Sequence, residues 1–491
     1  MLSLEKLPEG VLLPQYDRSA LRTRIVHIGF GAFHRSHQAV CADILAAAHN
    51  SDWGYCECGI NPENTGELIN ALRQQDLLYT VTEKDGDGSR IRVVGVVKQA
   101  LYRAGDGIEK IISALCQPEV AIVSMTVTEK GYCCQPATGQ LDLEHPAIVH
   151  DLAHPEEPLS LPGIILTAIR RRRDASLPPF SVMSCDNMPE NGRVTRNVVV
   201  QLAEQQDRPL ADYIQQTITF PSTMVDRIVP AMTPKAFRAL SDKLGCADPV
   251  GVECEPFFQW VIEDNFVNGR PAWEKAGAAL VADVLPFEEM KLRMLNGSHS
   301  LLAYAGYLAG YETISECMDD ADYQLAARKL MLDEQAPTLN ITGVDLTAYA
   351  DSLIARYKNR AIRHRTYQIA TDGTQKLPQR WLDSIRWHLR QGSGFELLAL
   401  CVASWMRFVK GVDERGQTFA VNDPLQPELA RRVSNSAEGE PRVAALLSLK
   451  AVFGDDLPEN RLFHQRVSHY YRLLLQSGAK EAVRQATGTA S

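Results

Sequence analysis

The pattern of apolar and polar positions divides the chain near residue 286. Before that point, short apolar runs alternate with stretches in which apolar residues recur every three or four positions. A short apolar run between two helical stretches is typical of a buried parallel strand. The pattern therefore predicts a doubly wound α/β domain of the Rossmann type, with insertions, over residues 1–285. The runs that predict its main strands are 25–28, 53–60, 120–127 and 180–184, and extended segments are predicted at 77–82 and 91–97.

Beyond residue 286 the periodicity is helical. Long segments such as 288–310 and 395–411 place apolar residues at helical spacing, and no segment alternates with the period of two that an exposed strand shows. This pattern predicts a second domain over 286–491 that is mostly α-helical.

A glycine-rich turn follows the first predicted strand. Gly29 and Gly31 occupy the first two glycine positions of the dinucleotide fingerprint, and His34 stands where the third would be. The first glycine permits a tight turn and the second lets the backbone approach a pyrophosphate at a helix N-terminus. An ordinary strand-to-helix turn with two glycines is the alternative. The predicted coenzyme-binding residues are Ile28, Gly29, Phe30, Gly31, Ala32, Phe33, His34 and Arg35.

The end of the second predicted strand bears on the choice of coenzyme. An acidic residue there binds the adenosine ribose and favours NAD over NADP. Asn61 occupies the tip of this strand and Glu63 follows shortly after it. The sequence thus leans towards NAD and leaves NADP open.

A lysine, an asparagine and a histidine lie together at the start of the helical region. On a regular helix, Lys291, His299 and Asn296 fall at about 0°, 80° and 140°, so all three can face one cleft. A lysine can act as a general acid and base, and an asparagine amide can stabilise a developing alkoxide. The alternative is a solvated lysine beside polar residues that bind local backbone groups.

Composition narrows the class of protein. The 491 residues carry a net charge of −9, which argues against a dedicated nucleic-acid binder. No run of about 18 apolar residues predicts a membrane span. Eleven cysteines, an odd number spread along the chain, favour reduced thiols and a cytoplasmic location, and no spacing predicts a metal site. A monomer and a small homo-oligomer both remain open.

Several motifs together resemble the mannitol dehydrogenase family of polyol-specific long-chain dehydrogenases. The matching segments are GFGAFHRSHQ at 29–38, TVTEKGY at 126–132, SCDNMPENG at 184–192, MVDRI at 224–228, CEPFFQWVIEDNFVNGRPAWEK at 254–275 and KLRMLNGSH at 291–299. Within the family, the chain resembles the fructuronate reductase branch in IRHRTYQIATDGTQKLPQR at 362–380, EQAPTL at 334–339 and FGDDLP at 453–458.

The resemblance implies hydride transfer to or from NAD without a metal. It gives Lys291 the role of general acid and base, and it gives Asn187 and Asn296 the role of holding the reacting oxygen. His299 matches a histidine that contacts substrate. Asp226 and Lys376 match positions that line the substrate pocket, and Glu129 matches a glutamate on the lysine's route to solvent.

One departure from the family concerns the substrate. Members that oxidise mannitol have an arginine eight residues before the Lys376 position, where this chain has Gln368. Arg363, His364 and Arg365 offer a cationic group for a sugar-acid carboxylate, although a solvated helix face is an equal alternative. We therefore expect interconversion of D-fructuronate and D-mannonate. The alternatives are a tagaturonate reductase, a mannitol 2-dehydrogenase-like enzyme, or a catalytically idle nucleotide-binding regulator.

Overall fold

The structure, a computed structural model, describes residues 2–61, 65–86, 88–135 and 138–488. The chain separates into two units, Met1–Leu285 and Pro286–Ser491, here called unit 1 and unit 2.

Unit 1 contains three sheets. Its strands in chain order are β1 Arg22–Ile28, β2 Trp53–Gly59, β3 Tyr79–Lys84, β4 Ser89–Val94, β5 Val97–Tyr102, β6 Ile122–Met125, β7 Ser181–Ser184, β8 Thr223–Asp226, β9 Val252–Cys254, β10 Gln259–Glu263 and β11 Ala279–Val281. The main sheet has the order β5-β2-β1-β6-β7, and all its pairs are parallel. The smaller sheets have the orders β4-β3-β9 and β11-β10-β8.

Helices cover both faces of the main sheet. They are α1 Ala32–Ser36, α2 Gln38–His49, α3 Thr65–Gln74, α4 Arg103–Asp106, α5 Ile108–Leu115, α6 Pro146–Ala153, α7 Leu161–Asp174, α8 Asn191–Gln206, α9 Arg208–Thr217 and α10 Pro234–Leu244. Successive residues of β1 point to opposite faces, so Val26 packs with α5, α7 and α8 while Ile25 packs with α2 and α3. The predicted doubly wound α/β fold is confirmed.

The sequence pattern was wrong about one extended segment. Residues 91–97 are not a single strand, because β4 ends at Val94 and β5 begins at Val97. The backbone N–H of Gly95 donates to the Tyr16 hydroxyl, at 3.2 Å, instead of joining a strand ladder. The chain therefore turns between a strand of the small antiparallel hairpin and a strand of the main sheet.

Unit 2 is helical, as predicted. In the part of it that the structure describes, there are isolated β-bridges but no strand. Helix α11 begins at the unit boundary, and the helices are α11 Leu285–Met290, α12 Gly297–Leu308, α13 Ile314–Asp319, α14 Ala321–Lys329, α15 Leu346–Tyr357, α16 Thr366–Ile369, α17 Gly373–Leu377, α18 Asp383–Gln391, α19 Glu396–Phe408, α20 Gln426–Ser434, α21 Glu440–Leu447, α22 Lys450–Phe453 and α23 Arg461–Ala486.

Three π-helical segments adjoin these helices in the described part of unit 2. The segments are Lys291–Asn296 between α11 and α12, Leu330–Gln335 after α14, and Pro378–Leu382 between α17 and α18. Short π segments inside α-helices are rare and often occur at functional sites. Over the described residues, none of the helices is both long and apolar enough to cross a membrane.

Candidate functional site

The glycine turn of unit 1 has the geometry that a dinucleotide requires. Gly29 has a φ of 105°, and a Cβ at this position would clash with the carbonyl oxygen of Thr126, so only glycine fits. A Cβ at Gly31 would meet nothing closer than the Gly29 oxygen at 4.0 Å. The space beside Gly31 is therefore open, and the turn lies where β1 and β6 end and the strand order reverses. That is the place where doubly wound sheets bind nucleotides.

Buried polar side chains form hydrogen bonds to the backbone of this turn. The His27 ring lies 3.1 Å from the carbonyl oxygen of Gly29 through Nε2 and 2.8 Å from Ser124 Oγ through Nδ1. The Thr126 hydroxyl donates to the same Gly29 oxygen, at 2.8 Å. A carbonyl only accepts, so His27 Nε2 carries the proton and its Nδ1 accepts from the Ser124 hydroxyl. Burial lowers the pKa of His27 well below its usual value, in agreement with this neutral ring.

His34 replaces the third glycine of the fingerprint and starts a second chain of hydrogen bonds. Its Nδ1 lies 3.1 Å from Gln38 Oε1, and its Nε2 lies 3.0 Å from Glu57 Oε1. The Gln38 amide nitrogen donates to His37 Nδ1, at 3.0 Å, and His37 Nε2 donates to the Gln259 carbonyl oxygen, at 3.0 Å.

The directions in this chain, taken with a neutral His34 ring, indicate the charge state of Glu57. Gln38 Oε1 accepts, so His34 Nδ1 holds the proton and a neutral His34 must accept through Nε2. Glu57 is then the donor, which requires a protonated carboxyl group. Burial raises the pKa of Glu57 to about 7 and lowers that of His34 to about 3, which favours the same neutral pair.

The side chains of His34 and Arg35 are thus already hydrogen-bonded within unit 1. His34 is fully buried and its ring stacks on His27 at 3.4 Å. The Arg35 guanidinium donates to the carbonyl oxygens of Val250 and Gly31. Any contact of these two residues with a coenzyme must come from the backbone. Glu63, considered for the choice of coenzyme, lies outside the described residues.

His27, His34 and Glu57 also form the group of possible metal ligands that occurs in the described part of the chain, with ligand atoms within 4.8 Å of one another. The four ring nitrogens all have partners within the protein. The trio is explained by its hydrogen bonds, and we assign it no metal.

Two further predicted residues lie just beyond the neighbouring strands of the sheet. Glu129 follows β6 and Asn187 follows β7, and both are exposed. The carboxylate of Asp186 joins the two strand ends, because it accepts the backbone N–H groups of Val127, at 3.0 Å, and Thr128, at 2.8 Å. Asp226, the last residue of β8, is buried in unit 1.

In unit 2, Lys291 and Asn296 are the first and last residues of a π segment, and Lys291 is buried. In a π-helix, hydrogen bonds join residues five apart, so residues five apart lie on nearly the same face. The sequence placed these two residues about 140° apart on a regular helix. The π segment turns Asn296 back towards the direction of Lys291, which brings the lysine and the amide onto one side of the helix.

His299 lies one turn further along, in an aromatic and cationic setting. Its ring stacks on Tyr357 with centroids 5.4 Å apart and lies 4.5 Å from the ring of His364. Its Nε2 atom is buried and has no hydrogen-bond partner within the described structure. Burial, followed by the nearby basic side chains, lowers the pKa of His299 well below its usual value. Those side chains are His364, Arg380, Arg356 and Lys376.

Arg380 and Arg356 were missed by the sequence analysis. The Arg380 guanidinium donates to Ser300 Oγ, at 2.7 Å, and to the Asn296 carbonyl oxygen, at 3.3 Å. It therefore lies against the turn that carries His299. Arg380 follows Lys376 by four residues, a spacing that could have suggested one helix face. Arg356 immediately precedes the Tyr357 that stacks on His299.

The predicted group of Arg363, His364 and Arg365 is divided by the structure. Arg363 and Arg365 point to solvent, with side chains 65% and 59% exposed, and both lie near the carboxylate of Glu312. His364 alone of the three lies next to His299. The residue types at 363–365 did not reveal that only the middle side chain, that of His364, points towards His299.

Family models, related sequences and a solved structure all show similarity to one family over most of the chain. The family model of the mannitol dehydrogenase Rossmann domain matches residues 23–275, and that of the mannitol dehydrogenase C-terminal domain matches residues 283–475. The chain is 59% identical to the uncharacterized oxidoreductase YdfI of Escherichia coli (strain K12), over 96% of each chain. It is 52% identical to the D-mannonate oxidoreductase of the same organism, over 96% of this chain and 97% of that one. The ternary complex of Pseudomonas fluorescens mannitol 2-dehydrogenase with NAD and D-mannitol is 38% identical, with a TM-score of 0.84 and 99% of both chains covered.

Proposed function

Because the chain belongs to the mannitol dehydrogenase family, we propose that it is an NAD(H)-dependent oxidoreductase that interconverts a keto sugar acid and its hydroxy acid, D-fructuronate and D-mannonate. One observation carries the choice of substrate. Identity to the relative named D-mannonate oxidoreductase is 52%, whereas identity to the solved mannitol 2-dehydrogenase is 38%.

The turn at Gly29 and Gly31 supports the coenzyme part of this proposal. Its positive φ, the open space beside Gly31 and its position where the strand order reverses fit the pyrophosphate of a dinucleotide. NADH, when bound, supplies the hydride. The exposed Asn61 region leaves NADP as the alternative coenzyme.

The chemical roles follow the family resemblance, residue by residue. Lys291 donates a proton to the carbonyl oxygen during reduction, and it must be neutral to accept that proton during oxidation. Asn296 donates amide N–H groups to the same oxygen and stabilises the charge that develops there. Asn187 has the same task, His299 binds a substrate hydroxyl, and Glu129 carries the proton between Lys291 and solvent. Burial of Lys291 on one side of a helix with Asn296 supports the first pair of roles.

The proposal is tested by coenzyme oxidation with purified protein. NADH and NADPH are each offered with D-fructuronate, D-tagaturonate and D-fructose, and the decay of coenzyme absorbance is followed. We expect the highest kcat/KM with NADH and D-fructuronate. Preference for D-tagaturonate or D-fructose would identify the corresponding alternative enzyme, and coenzyme binding without turnover of any substrate would identify a regulator.

A further inference from the structure

Two cationic side chains near His299, Arg380 and Lys376, lack the counter-charge that buried cations normally have. Arg380 makes its hydrogen bonds to neutral groups, Ser300 Oγ and the Asn296 carbonyl oxygen. In the described parts of the chain, no carboxylate forms an ion pair with Arg380 or Lys376. Charged groups that are withdrawn from water are usually paired, since desolvation is costly. The arrangement calls for an anion that the protein itself does not provide.

The nearby acidic residues do not pair with these two cations. Asp372 and Asp423 are close enough to act electrostatically on Lys376, but neither bonds to it. The Asp423 carboxylate accepts the backbone N–H of Thr374, at 2.9 Å, and the Thr374 hydroxyl, at 2.5 Å. The Lys376 ammonium instead donates to the Thr371 carbonyl oxygen, at 2.6 Å. Its two longer contacts, at 3.4 Å, are also with neutral acceptors, the Ile369 carbonyl oxygen and the Thr371 hydroxyl. No carboxylate among the described residues therefore balances its charge.

The buried Nε2 atom of His299 gives an independent indication of a ligand. A buried polar atom without a partner costs free energy and is uncommon in folded proteins. The ring of His299 is fixed between Tyr357 and His364, so this nitrogen is held in place. A ligand that brings both a negative charge and hydroxyl groups would satisfy the arginine, the lysine and this nitrogen together. A sugar acid has both.

Resting on the proposed function, we infer that Arg380 and Lys376 bind the carboxylate of the sugar acid and that His299 Nε2 hydrogen-bonds the same molecule. The planar guanidinium of Arg380 can present two parallel N–H groups to a carboxylate, while Lys376 adds a point charge. Arg363 and Arg365 do not have this role, because they are exposed, screened by water and already close to Glu312. Selectivity for an acid over a neutral ketose then depends on Arg380.

The kinetic test compares Arg380→Met with Arg363→Met, the same change at an exposed arginine. kcat/KM is measured with D-fructuronate and with D-fructose. We expect Arg380→Met to lower the value for D-fructuronate about 10- to 100-fold more than the value for D-fructose, the range for a lost charge-assisted hydrogen bond. The loss common to both substrates reports the missing bonds to Ser300 and Asn296. Arg380→Lys should fall between wild type and Arg380→Met, because it keeps the charge and loses the paired N–H groups. Equal losses on both substrates would indicate a structural role only and would overturn the inference, as would a loss confined to Arg363→Met.

A binding test removes the dependence on turnover. The thermal midpoint of the coenzyme-free protein is measured with D-mannonate, D-mannitol or inorganic phosphate. D-Mannonate should stabilise wild type and Arg363→Met but not Arg380→Met, and D-mannitol should stabilise all three alike. Stabilisation by phosphate equal to that by D-mannonate would mean a general anion site, and it would overturn the assignment to a sugar acid. If Arg380→Met does not fold, Lys376→Met and Arg380→Lys serve in its place.

The two proposals fail separately. If D-mannonate binds through Arg380 but no keto acid is reduced, the carboxylate site stands and the proposed reaction is wrong. If D-fructuronate is reduced equally well by wild type and Arg380→Met, the reaction stands and the carboxylate site is wrong.

Discussion

The substitution Glu57→Gln tests the hydrogen-bond chain beneath the coenzyme turn. In that chain a protonated Glu57 donates to a neutral His34. A glutamine has nearly the same shape, and its amide N–H can donate to His34 Nε2 in place of the carboxyl proton. Below about pH 4.5, where the carboxyl group is protonated in both the folded and the unfolded state, the variant should therefore have nearly the same free energy of unfolding as wild type.

As pH rises above 4.5 the variant should become increasingly more stable than wild type. Burial raises the pKa of Glu57 from 4.5 in the unfolded chain to about 7 in the folded protein. Between these values the folded state holds a proton that the unfolded state has lost, so the free energy of unfolding falls as pH rises through this window. At 1.36 kcal/mol per pH unit, the total loss for wild type is about 3 kcal/mol. Glutamine does not titrate, so above pH 7 the variant should exceed wild type by about 3 kcal/mol.

Hydrogen exchange measures this difference for unit 1 alone. Peptides that cover β1 and β2 are followed by mass spectrometry between pH 4.5 and 8, with rates corrected for intrinsic exchange at each pH. Glu67→Gln is the control, because Glu67 is exposed on α3 and its replacement should leave the difference from wild type independent of pH.

The opposite charge state would give the opposite sign. If Glu57 were ionised and paired with a protonated His34, the variant would leave a buried imidazolium without its partner. Removing one member of a buried ion pair costs about 3–5 kcal/mol, so Glu57→Gln would then be strongly destabilised near neutral pH. That result, or a difference that does not change with pH, would refute the neutral hydrogen-bond chain.

Three other predictions concern the proposed reaction. Lys291→Met should lower kcat for keto-acid reduction by about 10²–10⁴-fold, the usual contribution of a general acid, while the Kd for NADH, measured by fluorescence titration, changes little; unchanged kcat would exclude the assigned role. Gly29→Ala should weaken NADH binding and lower the thermal midpoint, because the methyl group meets the Thr126 carbonyl oxygen at a positive φ; wild-type values for both would contradict the close approach of these segments. Burial and the neighbouring Arg380 lower the pKa of Lys376 to about 8, so kcat/KM for a keto acid should fall as pH rises above 8 more steeply in wild type than in Lys376→Met. Equal profiles would exclude this titration.

Local patterns were enough to predict the architecture of unit 1. The run that ends at Ile28, followed at once by Gly29, predicts a strand and a tight turn because both features depend on neighbouring residues. The break at Gly95 was not predictable in this way. It depends on Tyr16, which is distant in sequence and accepts the Gly95 N–H. Strand boundaries set by long-range hydrogen bonds are not encoded in a local hydrophobic period.

The residue types of the candidate site were predictable from the sequence, but the directions of their side chains were not. The spacing of Lys291, Asn296 and His299 indicated one cleft on a regular helix. The π segment changes the angle between Lys291 and Asn296 by widening one helical turn, and the hydrophobic pattern, which was interpreted with the period of a regular α-helix, did not reveal it. The triplet at 363–365 shows the same limit, since the structure turns only His364 towards His299.

A net charge of −9 places no obstacle before an anionic substrate, because exposed charges separated by more than about 8 Å are largely screened at physiological ionic strength. What acts on a bound carboxylate is the set of charges inside the site, where water is scarce and screening is weak. Arg380 and Lys376 are close enough to act electrostatically on His299, whereas the nearby Asp372 and Asp423 form no ion pair with either of them, and Asp423 accepts hydrogen bonds from Thr374 instead. The polypeptide therefore keeps a locally positive cluster within an acidic molecule. If this cluster binds the carboxylate as we infer, the bound anion offsets the free energy cost of the unpaired cations, and the cluster favours charged sugars over neutral ones.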